Sequence, residues 1–505
     1  MGVDFNKPRV GYRDLREYLK LLESAGLLKY VKAEVDLRHE IGAICARSLD
    51  RKGAGLFFEN IKGYKGMPLV ANVLSTTEQL AIAFGTEADD GKIYDTVQTG
   101  KAKPIPARVV EVAPCQEEIH LGDGVDLYEF PTPWWHELDG GQYIGTTAGV
   151  ITADPDTGFI NMGMYRVMIK DRRTLAANFK GPHPVGEPPT GPQSRVGYGG
   201  HTHILKNEAL GKPTPIAIAC GMDPVLTYVA GQAVPSDKLE HAEYAVAGGI
   251  RGEALALVKC KANDLLAPAD AEIILEGEVV PNERAAEGPH GESQGFYGWN
   301  DQTFVIKISC ITHRKNPISY GLVCRCREDY PKFMLSAALR DKLAGIENIK
   351  EVYAPVIGGG GMGLMAIIAA KVSSPAEVER IIEAIQKIPY ESYTSHKPRW
   401  SVIVDDDCDV RDWEDVMWRV VMGVMPDKDV RIGPRLDRIT HEPLATLYDS
   451  KASSIIIDAT FRSKPGKSKE LGEFPPVNKV SKELMSKVES RWKEYGLEQL
   501  WRTER

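Results

Sequence analysis

Glu272-Ile273-Ile274-Leu275-Glu276-Gly277-Glu278-Val279-Val280 is a mostly apolar run of strand length, closed by Pro281. It sets the reading of the middle of the chain. Runs of the same kind recur at Gly149–Thr152, Ile160–Ile169, Pro215–Cys220, Ala254–Cys260 and Phe304–Ile311, bounded by Gly, Pro or Asp. Short strands so punctuated predict a β-barrel or sandwich with inserted loops over residues 111–320. Gly181–Gly200, dense in Pro and Gly, reads as a long loop of the kind that is usually functional.

The flanks read differently. Leu15, Tyr18, Leu19 and Leu22 fall on one helical face, and Gly26 stands where that helix should stop. Strand-like stretches follow at Tyr30–Val35, Gly55–Glu59 and Leu69–Val73, so residues 1–110 form a small α/β unit ending near Lys103-Pro104-Ile105-Pro106. Over 321–462 the α/β alternation returns. Ser374-Pro375-Ala376-Glu377 is a capping box with Pro at the first helical position. It opens a helix with Val378, Ile381, Ile382 and Ile385 on one face, and Ser401–Val404 reads as a buried strand. Residues 463–505 form a polar tail with one amphipathic helix around Leu484–Leu497. The expected class is α/β (α+β) in three parts, which suits 505 residues.

A net charge of −8 speaks against a dedicated nucleic-acid binder. No apolar run approaches the roughly 20 residues of a membrane helix. The first residues lack a secretion signal, and Asn6 stands where myristoylation wants Ser or Thr, so a cytoplasmic location is expected. The eight cysteines form no C-x-x-C pair, and neither a disulfide framework nor a zinc site is expected.

Several segments carry chemistry. Gly358–Gly363 fits G-x-G-x-x-G but precedes a second strand-like run, so it reads as a connection rather than a nucleotide loop. Asp405-Asp406-Asp407-Cys408-Asp409 suits a hard cation by composition, but reads better as capping the helix that begins near Trp413. His201-Thr202-His203 offers metal ligands if the chain bends there. Glu287-Gly288-Pro289-His290-Gly291-Glu292 holds two acids in one turn. Paired carboxylates raise one pKa and leave an acid beside a base, a useful pair for protonating a carbanion-like centre; an acidic surface turn is the alternative. In Asn161-Met162-Gly163-Met164-Tyr165-Arg166 an Arg within an apolar strand needs counter-ions and offers a planar fork to a carboxylate. Asn161 and Arg166 are an odd number apart, so one shared cavity requires a bulge, expected at Gly163.

Together with Tyr143–Thr147, Ala242–Gly248, Leu257–Cys260, Asn263–Leu265, Ala271–Gly277, Ser450-Lys451 and Asp458–Thr460, these segments resemble the UbiD family of decarboxylases, from about Tyr12 to Thr460. The resemblance implies a central FMN-binding split β-barrel and a C-terminal α/β oligomerisation domain. It implies Arg166, Glu287 and Glu292 as the catalytic set, with Glu292 protonating the product carbon. It implies a divalent Mn2+ or Mg2+ on the cofactor phosphate, held by Asn161, Glu243 and a histidine, His201 before His203 or His183, with K+ as a further candidate. Thr146 and Lys451 would be cofactor contacts. The cofactor would be prenylated FMN, supplied by a separate flavin prenyltransferase. The activity implied is reversible, non-oxidative decarboxylation of an aromatic, heteroaromatic or α,β-unsaturated acid through a covalent adduct with that flavin. A homodimer or homohexamer is implied too. His290 stands where ferulic acid decarboxylases carry an aromatic residue, which predicts a more polar cavity. Two rivals are a flavin-dependent oxidoreductase and a non-catalytic subunit of a carboxylase complex.

Overall fold

The computed structural model describes residues 10–51, 53–179, 199–232, 234, 243–293, 295–324, 332–355, 365–388, 397–437, 451–464 and 480–496. At 332–334, 436–437, 451–452 and 482 it describes the backbone alone. The glycine run 358–363 and His183 lie outside these residues.

The first unit begins with helix Leu15–Ser24, capped by the Asp14 side chain, and buries Leu15, Tyr18, Leu19 and Leu22 as their spacing predicts. Gly26 then takes φ +75°, a conformation that favours glycine. Leu28–Val31 pairs in parallel with Gly55–Phe58, which pairs antiparallel with Leu69–Ala71. The fourth strand of this sheet is Ser319–Gly321, which returns from far along the chain. Arg16 on the first helix reaches Glu272 with two hydrogen bonds of 2.8 and 2.7 Å, tying it to the start of the central strand.

The middle of the chain builds an eight-stranded sheet. Its spine is a hairpin of two long strands, Ile273–Gly291 and Tyr297–His313. Thr214–Cys220, Gly149–Ala153 and Ile160–Met164 extend it on one side. Thr174–Ala177 and Val167–Ile169 extend the other, and Glu118–Leu121 pairs with the far end of the second long strand. Alternation along these strands sends Ile216, Ile218, Ile273, Leu275, Val279, Phe304 and Ile306 into one core.

The C-terminal unit is a five-stranded sheet whose middle strands, Met365–Ala370, Trp400–Asp405 and Ile455–Asp458, are parallel. Helix Pro375–Lys387 has the expected capping box and buries Val378, Ile381, Ile382 and Ile385. The acidic turn after Asp405 departs from expectation. Asp412, not the turn, caps helix Trp413–Gly423. Asp405 and Asp407 instead face the fully buried Arg419, at 3.5 and 3.1 Å. A buried guanidinium needs that countercharge, and the need outweighs capping. Among the described residues no helix is long and apolar enough to cross a membrane.

Candidate active site

Arg166 lies where the chain changes partner strand. Ile160–Met164 runs against Gly149–Ala153 in unbroken register, with Asn161 opposite Thr152 and Gly163 opposite Val150. Val167–Ile169 pairs instead with Thr174–Ala177. Tyr165 and Arg166 fall between the two strands. The bulge expected at Gly163 is therefore absent: the change of partner releases Arg166 from strand alternation without an inserted residue. Gly163 answers a different demand, because a Cβ there would lie 2.6 Å from the Tyr165 ring.

Both glutamates of the 287–292 turn reach Arg166. Its Nε and Nη2 donate to Glu287 Oε2 at 2.9 and 2.7 Å, and Nη1 donates to Glu292 Oε1. The guanidinium thus contacts each carboxylate through different nitrogens, so the paired-acid arrangement expected from the turn is replaced by two ion pairs on one cation. Burial alone would lower the Arg166 pKa. The adjacent charges of Glu287 and Glu292 outweigh it, and the net direction is up. Exposure separates the two acids: the Glu287 side chain is 0% exposed and that of Glu292 is 19% exposed.

Sequence reading missed the supporting residues. Tyr143 donates its hydroxyl to Glu287 Oε1 at 2.7 Å. Burial, then the Glu287 charge, pushes the Tyr143 pKa well up, so the phenol stays a donor. Asp139 accepts from Gly291 N at 2.9 Å and from His136 N at 3.0 Å, and Gly140 N donates to Pro289 O at 2.7 Å. The 136–143 segment therefore clamps the turn that carries both acids. A Cβ on Gly140 would sit 2.0 Å from Gly288 O, which explains glycine there. His290 is buried with its ring 4.1 Å from that of Tyr143 and its Nδ1 3.7 Å from Asp139. It belongs to this clamp, and the polar cavity expected from it does not follow. Tyr143 opens the Tyr143–Thr147 segment noted in the sequence, but nothing local marks it as the partner of Glu287.

Burial raises the Asp139 pKa, but the adjacent His136 and His290 rings and the hydrogen bond from Gly291 N override it and hold the carboxyl well below its usual 3.8. A depressed carboxylate contributes stability above its unfolded-state pKa and loses it as pH falls through the folded value. Asp139→Asn is thus expected to cost about 1–3 kcal/mol near neutral pH. The gap in melting temperature between the two proteins should narrow in acid below the usual carboxylate range. A gap that stays constant with pH would refute this role for the charge.

The second group of expected residues surrounds the edge strand. Glu243 opens helix Glu243–Arg251, is buried, and accepts from Met162 N at 3.2 Å. Burial raises its pKa to about 7, and no Lys or Arg pairs with it among the described residues. Asn161 Nδ2 is buried without a hydrogen-bond partner. Helix Gly199–Ala209 carries both histidines on different faces. His203 Nδ1 lies 2.9 Å from Thr152 Oγ1, and its pKa falls to about 4 through burial. His201 packs its ring 5.7 Å from Phe304, and burial lowers its pKa. Thr146 Oγ1 accepts from Leu322 N at 2.9 Å. Lys451 lies in a short strand paired with Asp437, and its side chain is not among the described atoms.

Comparison with known proteins agrees over most of the chain. The N-terminal, Rift-related and C-terminal domain models of 3-octaprenyl-4-hydroxybenzoate carboxy-lyase match residues 19–95, 108–326 and 332–459. An uncharacterized protein of Synechocystis sp. is 30% identical over 511 residues, 96% of each chain. The UbiD-class enzyme HmfF of Pelotomaculum thermopropionicum, solved with FMN, is 27% identical with a TM-score of 0.74, over 93% of this chain and 99% of that one. An evolved dimeric form of HmfF, solved with prFMN, gives 27% and 0.72 over 94% and 99%. The vanillic acid decarboxylase of Sedimentibacter hydroxybenzoicus in open form is 29% identical with a TM-score of 0.74, over 96% and 99%.

Proposed function

Because the chain belongs to the UbiD family of carboxy-lyases, we propose that it is a reversible, non-oxidative decarboxylase of an aromatic, heteroaromatic or α,β-unsaturated acid, working with prenylated FMN. The observation that carries this reading is the cluster of Glu287, Arg166 and Glu292. The flavin is supported by the FMN and prFMN that the HmfF neighbour binds. When bound, it supplies an electron sink for the carbon that loses CO2.

The chain's own residues then have separate tasks. Glu287, fully buried and bonded through both oxygens, is the fixed counter-ion that orients the Arg166 fork. Arg166 aligns the substrate carboxylate, which competes with Glu292 for Nη1. Glu292, the more exposed acid, delivers its proton to the carbon that CO2 leaves. Asn161 and Glu243 fit a divalent ion: Glu243 is a buried carboxylate without a cation, which Mn2+ or Mg2+ would satisfy, and Asn161 would ligate through its amide oxygen. His201 is the proposed third ligand, since Thr152 engages His203, and metal content of His201→Ala against His203→Ala decides between them. Thr146 and Lys451 are further proposed cofactor contacts. A homo-oligomer is supported by the dimeric neighbour and by the exposed Met417, Val421 and Met422 of helix Trp413–Gly423.

The test is a screen of cofactor-loaded protein against cinnamate-like, aromatic, pyrrole, furan and polycyclic acids. CO2 release and hydrogen–deuterium exchange at the product carbon are expected for at least one class, with a prenylated flavin mass in the extract. Plain FMN, NADH oxidation and no CO2 would identify a flavin oxidoreductase instead.

A further inference from the structure

Away from the Arg166 cluster, three side chains converge on the opposite end of the long hairpin. His313 ends strand Tyr297–His313, and His120 lies on the paired edge strand Glu118–Leu121. Ile311 pairs with His120 and His313 with Glu118, so the two histidines are diagonal neighbours on one face. Their rings are 5.0 Å apart at 85°. Glu129, from the single turn Leu127–Glu129, brings Oε2 to 2.9 Å from His120 Nδ1. One nitrogen of each histidine and one oxygen of Glu129 lie within 4.8 Å of one another.

The hydrogen-bond inventory of this cluster does not close. His313 Nδ1 lies 2.8 Å from the carbonyl of Arg314, which can only accept. Nδ1 therefore carries the hydrogen, and Nε2 presents a bare lone pair. That Nε2 is buried, on a residue 5% exposed, and has no hydrogen-bond partner. His120 Nδ1 is also buried, and its approach to Glu129 is angled so that no hydrogen bond forms. Two imidazole nitrogens and a carboxylate thus face one space, and neither nitrogen has a hydrogen-bond partner there. A buried acceptor without a donor is costly.

We propose that His120, Glu129 and His313 form a zinc site that uses no cysteine. Two imidazoles and one carboxylate are a ligand set suited to Zn2+, with bonds of about 2.0–2.2 Å and a fourth position open to water. The carbonyl of Arg314 bonded to the non-ligating nitrogen of His313 is the outer contact that orients a metal-binding histidine. The His120 and Glu129 side chains, 28% and 29% exposed, give the ion an entry path. Donors around a tetrahedral ion at these bond lengths sit roughly 3.3 Å apart, so closing the set needs side-chain shifts of about an ångström.

The test uses full-length, tag-free protein, stripped with chelator and titrated with Zn2+ or with Co2+ as a visible probe. One Zn2+ per chain in the Glu243→Ala variant, which lacks the proposed flavin-side metal, and in the parent intense tetrahedral Co2+ absorption and a rise in melting temperature are expected. His120→Ala, at a partly exposed position, should weaken Zn2+ at least about tenfold and abolish the absorption, as should His313→Ala if it folds. Glu243→Ala should leave both signals intact, which separates this site from the proposed flavin-side metal. No Co2+ absorption in the parent protein, or absorption that survives His120→Ala, would overturn the proposal.

Discussion

Glu292→Gln is expected to slow CO2 release by about 10²–10⁴-fold, the usual contribution of a positioned general acid, with flavin content unchanged. The change removes one transferable proton and almost no volume. The geometry favours Glu292 over Glu287 for this task. Glu287 is sealed from solvent, with one oxygen taken by Tyr143 and the other by two nitrogens of Arg166. A proton donor must regain its proton every turnover, and only Glu292 has exposed surface for that exchange. The acid's neighbours also leave room: a Cβ on Gly298 would fall 3.2 Å from Glu292 Oε1 and 3.1 Å from Arg166 Nη1. Glu292→Asp should retain a fraction of the rate, because the proton is kept while its reach shortens. Hydrogen–deuterium exchange into product is the sharper readout, since it isolates the protonation step. A Glu292→Gln variant that exchanges at the parent rate would remove Glu292 from the chemistry.

Local features were legible in the sequence where short-range physics decides them. Helix Leu15–Ser24 and helix Pro375–Lys387 carry their start signals and buried faces within a dozen residues, and strand Trp400–Asp405 is apolar enough to stand alone. What escaped depends on contacts between distant segments. Ser319–Gly321 completes a sheet begun at Leu28, and nothing in its three residues points there. The acids at 405 and 407 looked like a cap because their partner, Arg419, is itself concealed within an amphipathic helix. In the candidate site, the charged residues of the proposed catalytic set stood out as charge in apolar or glycine-bound surroundings. Tyr143, Asp139 and His136 did not, since an ordinary loop composition conceals residues whose role is to brace another loop.

Arg166→Ala is the substitution expected to do most damage, and its cost has two separable parts. The first is electrostatic. Glu287 has a side chain with no exposure, and removing the cation leaves its charge buried without compensation, which costs about 3–5 kcal/mol. The second is catalytic, because no other cation among the described residues faces both acids, and the substrate carboxylate loses its planar partner. Arg166→Lys separates charge from shape: a point charge restores part of the stability but cannot serve Glu287 through two nitrogens and Glu292 through a third. It should fold well and turn over poorly. Pairing Arg166→Met with Glu287→Gln tests the same division from the other side. With both charges gone the desolvation penalty disappears, so the double variant should melt at a higher temperature than Arg166→Met alone, yet release no more CO2. If the double variant is as unstable as the single one, the Arg166–Glu287 pair is not what holds the strand exchange at 164–167 against the 287–292 turn.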